Sequence, residues 1–160
     1  MTITKLERIP AKKTPDATRL LRADHKEVND LFDLYGSTKS KVKKKEIVEK
    51  ICTALTVHAQ IEEEIFYPAV KLALKDKELI PEAAVEHAML KTLIAQIEGE
   101  EPDGELFDAK VKVLGEYVKH HVKEEQSQIF VKAKESSKLD LSKLGEQLLR
   151  RKEELMSKLG

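Results

Sequence analysis

The stretch VHAQIEEEIFYP, residues 57–68, places His58 four residues ahead of Glu62 in an otherwise apolar helical pattern. On an α-helix that offset is about 40° around the axis and about 6 Å along it, so imidazole and carboxylate share one face. The neighbours say which face. Ile47, Ile51, Ala54, Leu55, His58, Glu62 and Ile65 recur at helical spacing, the stripe a helix turns toward a core. The spacing predicts a helix over 40–74, with Pro68 bending it or beginning its end. A second copy stands downstream in HVKEEQSQIF, residues 121–130, where His121 leads Glu125 by four.

Outward from these two stretches the chain reads as more helices. TPDATRLLRADHKEVNDLFDLYG, 14–36, opens on a Thr-Pro-Asp start signal and closes at Gly36, with Leu21, His25, Val28 and Phe32 inward. A third helix over 81–99 turns Ala84, His87, Leu90, Ile94 and Ile97 inward. GEEPDG, 99–104, is the clearest loop. A fourth over 105–136 turns Leu114, Tyr117, His121, Glu125 and Gln128 inward. After Asp140, LSKLGEQLLRRKEEL predicts a last amphipathic helix packed on the outside. Residues 1–13 read as a flexible, mildly basic arm, 14–136 as one helical domain and 137–160 as its C-terminal appendage.

The helices contain a repeat. His25 and His87 are 62 residues apart, and His58 and His121 are 63 apart. Asp-His in the first helix matches Glu-His in the third, and HAQIEEEIFYPAVK matches HVKEEQSQIFVKAK. Two copies of a helix pair facing each other predict an all-α fold, an up-down-up-down antiparallel four-helix bundle with an extra C-terminal helix.

Composition agrees. Charged residues are 36% and aromatics 4%, with 6 Gly and 5 Pro in 160 residues, a mix that favours long helices over sheet. A net charge of +0 leaves no global basic field for nucleic acid, and KVKKKE at 41–46 reads as a solvated face. No apolar run approaches the ~20 residues of a membrane span. The N-terminal stretch lacks the apolar centre of a secretory signal, and the single cysteine, Cys52, reads as a small buried hydrophobe. Both predict a cytoplasmic protein.

Four of five histidines thus lie inward, one per helix, and two carry a glutamate one turn on. Unpartnered, such a set costs several kcal/mol per buried charge, roughly. Protonated histidines against two glutamates would offset part of that, yet a purely structural network does not require one histidine per helix at a repeated spacing. Metal ions account for the set better. Imidazole with carboxylate suits iron, manganese or zinc, and six ligands are too many for one tetrahedral zinc but suit two ions bridged by carboxylates. His120 with Glu124 repeats the spacing in an adjacent register, but superposing Ile129-Phe130 on Phe66-Tyr67 favours His121 with Glu125. Tyr117, one turn before His121, reads either as a core aromatic or as a donor near the site. Gln128 reads as a polar lining group, and Glu63, Glu64 and Glu124 as solvated.

The pattern H…HxxxE…H…HxxxE, carried by His25, His58, Glu62, His87, His121 and Glu125, resembles the hemerythrin-like HHE cation-binding domains over about residues 15–136. The resemblance implies two non-heme iron ions, oxo- or hydroxo-bridged when oxidised. His25 and His58 would hold one, His87 and His121 the other, and Glu62 and Glu125 would bridge. The oxygen-carrying members have a second histidine one turn after the third-helix histidine, where this chain has Lys91. They also have an aspartate five residues after the last histidine, where it has Gln126. These departures point away from reversible oxygen carriage and toward bacterial members that sense O2, nitric oxide, peroxide or iron stress. The expected ligand is therefore a small diatomic gas or peroxide, with no nucleic-acid or membrane partner. The alternatives are a catalyst of peroxide disproportionation, nitric oxide reduction or iron-centre repair, and an iron-responsive interaction module.

Overall fold

The computed structural model describes residues 14–101 and 104–159. The expected arm at 1–13 lies outside the described residues. Helix α1, Ala17–Ser37, starts where the Asp16 carboxylate accepts the Arg19 backbone N–H at 3.0 Å, a cap that occupies one orphan donor of the first turn. Helix α2, Lys41–Ile61, is capped in the same way by Ser40. It runs without a break into a π-turn, Glu62–Phe66, and then α3, Tyr67–Leu74. After the left-handed Lys75 comes α4, Leu79–Glu98. Helix α5, Glu105–Glu124, passes through a second π-turn, Glu125–Ile129, into α6, Phe130–Glu135. Helix α7, Leu141–Leu159, closes the described chain.

Pro68 does not end its helix. It falls in the first turn of α3, directly after the π-turn, where a missing N–H costs little. The local distortion lies one step earlier, in the π-turn.

Helix α1 packs on α2, α4 on α5, α2 on α4 and α1 on α5, which closes a four-helix bundle. Helix α7 lies across α1, α2 and the first π-turn. Its crossing is close at Gly145, where a Cβ would stand 2.2 Å from the Pro15 carbonyl oxygen. Only glycine allows that approach.

The apolar interior falls into two clusters. One gathers Leu21, Ile61, Phe66, Val70, Phe130 and Leu148. The other gathers Val28, Ile51, Leu55, Leu90, Ile94 and Leu114, and includes Cys52, whose thiol burial pushes up to about 12. Along the chain His25 falls between Leu21 of the first cluster and Val28 of the second, and His87 between Ala83 of the first and Leu90 of the second. Of the stripe, Ala84 turns outward and Ala83 takes the buried position.

Candidate metal centre

Each long helix of the bundle sends one histidine inward, and His25, His58, His87, His121, Glu62 and Glu125 are all buried. The ring nitrogens meet in two pairs. His25 Nε2 stands 3.2 Å from His58 Nε2, and His87 Nε2 stands 3.1 Å from His121 Nε2. Glu62 Oε1 lies 3.1 Å from His58 Nε2 and 3.2 Å from His87 Nε2, so one oxygen touches both pairs. Glu125 spans them with two: Oε1 is 3.0 Å from His25 Nε2, and Oε2 is 3.5 Å from His121 Nε2.

The far nitrogen of every ring is anchored. His25 Nδ1–H donates to Gln126 Oε1 at 2.8 Å, His58 Nδ1–H to Asp24 Oδ2 at 2.9 Å, His87 Nδ1–H to Glu63 Oε2 at 2.9 Å and His121 Nδ1–H to Glu86 Oε1 at 2.7 Å. With acceptors behind all four rings, the proton belongs on Nδ1 and each Nε2 lone pair points into the centre. The anchors obey the repeat: Asp24 and Glu86 are equivalent, as are Glu63 and Gln126. Asp24 and Glu86 each precede the histidine of their own helix yet hold the histidine of the next one.

Lone pairs that face each other repel unless a cation lies between them. Among the described residues, both oxygens of Glu62 and Oε1 of Glu125 also lack any hydrogen-bond donor, although fully buried. Ligand atoms about 2.1 Å from one ion and at right angles to each other are about 3.0 Å apart, close to the spacings here. His25, His58, Glu62 and Glu125 form one such group and Glu62, His87 and His121 another. The donor set therefore fits two cations sharing carboxylates.

In the metal-free chain, protons take the places that cations would. Burial alone would lower His58 and His121. The carboxylates of Glu62 and Asp24 lift His58 well above its usual range, and Glu125, Glu62 and Glu86 lift His121 to about 9. Burial would raise Glu125, but contacts with Glu62, His121 and His25 hold it well below the usual range. Both directions mark a cavity that favours positive charge.

The structure also corrects several sequence readings. Tyr117 is 47% exposed and Gln128 faces solvent, so neither lines the site. Glu63 is not solvated but half-buried between His87 and Lys91. The phenol in the site is Tyr67. Its hydroxyl hydrogen-bonds Glu125 Oε2 and lies 3.3 Å from His87 Nε2 and 3.2 Å from His121 Nε2. Its repeat equivalent, Phe130, stacks on His25. Asp24, Glu86 and Gln126 were missed as anchors. The Asp-His and Glu-His pairs of the repeat were a signal for the first two. His120 is exposed and contacts Glu124 and Glu86 outside the centre. Lys91 turns its ammonium to Glu63 rather than inward.

A cavity of about 30 Å³ lies between the four histidines and Val28, Leu55, Leu90, Ile94 and Val118, with Asp24 and Lys91 also on its wall. It has room for a water-sized guest.

The family described as hemerythrin HHE cation binding domain matches residues 16–133. A DNA nickase of Nostoc sp. is 32% identical over 111 residues, 69% of this chain and 31% of that protein. The chain thus spans about a third of that relative's length. A crystal structure of a hemerythrin HHE cation binding domain-containing protein from Mycobacterium kansasii superposes with a TM-score of 0.76 at 18% identity, covering 90% of this chain and 89% of that one. At that identity the likeness speaks to the fold.

Proposed function

The chain belongs to the hemerythrin HHE cation-binding domain family, and from that premise we propose that it holds two non-heme iron ions and binds or senses O2, nitric oxide or peroxide. The observation that carries the reading is the convergence of four Nε2 lone pairs and two carboxylates, every imidazole anchored from behind. His25 and His58 would hold one ion, His87 and His121 the other, with Glu62 and Glu125 shared. Mixed imidazole and carboxylate donors suit iron, and six are too many for tetrahedral zinc. Bound there, iron would supply electrons to a small oxidant or bind a gas. The chain's own residues do the rest. A small, largely apolar cavity beside the histidines suits a small guest better than a large substrate. Tyr67 holds a proton at its hydroxyl beside His87 and His121. The match to the Nostoc protein covers 31% of its length, so its nickase activity is no guide to this chain.

A catalytic role, in peroxide disproportionation or nitric oxide reduction, is the second reading. The buried Tyr67 phenol favours it, because turnover of peroxide needs a proton donor within reach. Anaerobic absorption titration of the reduced protein with O2, nitric oxide and peroxide tests both readings, after elemental analysis has given two irons per chain. With Lys91 turned away from the centre, reduced protein should react with O2 and not return it. Recovery of the starting spectrum over repeated degassing cycles would establish oxygen carriage instead. One zinc and no iron, after growth in iron-rich medium, would sink the proposal.

A further inference from the structure

Equivalent residues of the two repeats face the two halves of the centre, so every difference between equivalents falls on one side. Behind His25 and His58 stand an uncharged amide, Gln126, and a carboxylate, Asp24. The second oxygen of Asp24 is held by Lys152 of α7 at 2.6 Å. Behind His87 and His121 stand two carboxylates, Glu63 and Glu86. Glu63 pairs with Lys91, but among the described residues no lysine or arginine pairs with Glu86. The first pair of rings is thus backed by one carboxylate against one ammonium, and the second by two carboxylates against one ammonium. The inner surfaces differ too. Phe130 offers His25 a ring, 5.8 Å between centroids with planes 4° apart, whereas Tyr67 offers His87 and His121 an oxygen.

A carboxylate behind an imidazole makes the ring a better donor to a cation, and removing such an anchor costs about 10–100-fold in metal affinity. Tied to a lysine, the carboxylate gives less. We infer that the two positions are unequal: the His87–His121 side holds its cation more tightly than the His25–His58 side, so the centre fills and empties in order through a lasting one-metal state. This rests on the two-metal reading above. A chain built this way answers a falling metal supply in two steps. Helix α7 takes part in setting the first step, because its Lys152 neutralises the carboxylate behind His58.

The test follows metal leaving the full-length, metal-loaded protein into an excess of a chromogenic chelator. Two phases of one ion each are expected, separated by about tenfold or more. Gln126→Glu, which supplies the missing carboxylate, should slow the fast phase alone, and Glu86→Gln should speed the slow phase alone. Protein recovered between the phases should carry one ion per chain. Release of both ions at a single rate overturns the inference and leaves the two-metal reading standing. So does a Gln126→Glu variant whose fast phase is unchanged, or a Glu86→Gln variant whose slow phase is unchanged. A starting content below two ions per chain overturns both.

Discussion

At the scale of single residues, the centre is built from pairs, a histidine and the group that holds its back. That pairing separates His121 from its neighbour His120. His121 is buried with Glu86 on Nδ1, while the side chain of His120 is 63% exposed. His58→Ala and His121→Ala should each lose metal, and His120→Ala should keep both inner ions. Elemental analysis of the three variants decides, and an emptied His120→Ala protein would put the register of the last helix in error. The same residues set a pH dependence in the metal-free chain. His121 is raised from 6.5 to about 9, so its contribution to stability is complete below about 6.5 and lost as pH rises through about 9. Glu125 is depressed below 4.5, so its contribution is present above that and lost as pH falls. Metal-free protein should therefore melt highest between about pH 4.5 and 6.5 and weaken toward pH 9, with His58 acting in the same direction as His121. Thermal melts across this range check it, and metal-free protein as stable at pH 9 as at pH 6 would refute it.

At the scale of elements, the two π-turns decide what faces the metal centre. On an α-helix the fifth residue after Glu62 lies about 140° around the axis, far from the site. The π-turn closes with Tyr67 N–H donating to the Glu62 carbonyl, an i to i+5 bond that swings Tyr67 back over the glutamate. The second π-turn does the same for Phe130 after Glu125. It also turns Gln128 out, although α-helical spacing counts that residue inward. Since Phe130 shows that a phenyl ring fits the equivalent place, Tyr67→Phe should fold and keep its metal. Loss of the hydroxyl from Glu125 should cost the metal-free protein about 1–3 kcal/mol, measurable by denaturant unfolding. An unchanged midpoint would mean that the phenol contributes nothing to the apo site. Helix α7 depends on Gly145. Gly145→Ala must push backbone aside at Pro15 and Asp16, and a loss of about 1–3 kcal/mol is expected in the same measurement.

At the scale of the whole molecule, buried histidines and glutamates share the interior with two apolar clusters, and burying them costs least when their charges are neutralised. Cations achieve this better than protons shared among crowded rings. Metal bound to the folded chain alone stabilises by about 2.7 kcal/mol at a hundredfold over its dissociation constant, or roughly 5 °C or more in melting temperature. Chelation should lower the melting temperature by at least that much. Identical melting curves with and without verified metal removal would show that the site costs nothing when empty.

The sequence alone determined the helices, their pairing by repeat and the six inward residues. Periodicity and the offsets of 62 and 63 residues are local or internal properties of a chain, readable without coordinates. They carry His25, His58, Glu62, His87, His121 and Glu125 to one place because a residue's face follows from its number along a regular helix. What only the tertiary structure decided lies where that regularity breaks or where two helices meet. Tyr67 enters through a π-turn, which no α-helical count anticipates. Asp24, Glu86, Glu63 and Gln126 act across helices, each holding a histidine that its own sequence neighbours do not contain. The reach of α7 to Asp24 through Lys152 likewise depends on the angle at which a distant helix crosses, which packing sets and local spacing does not.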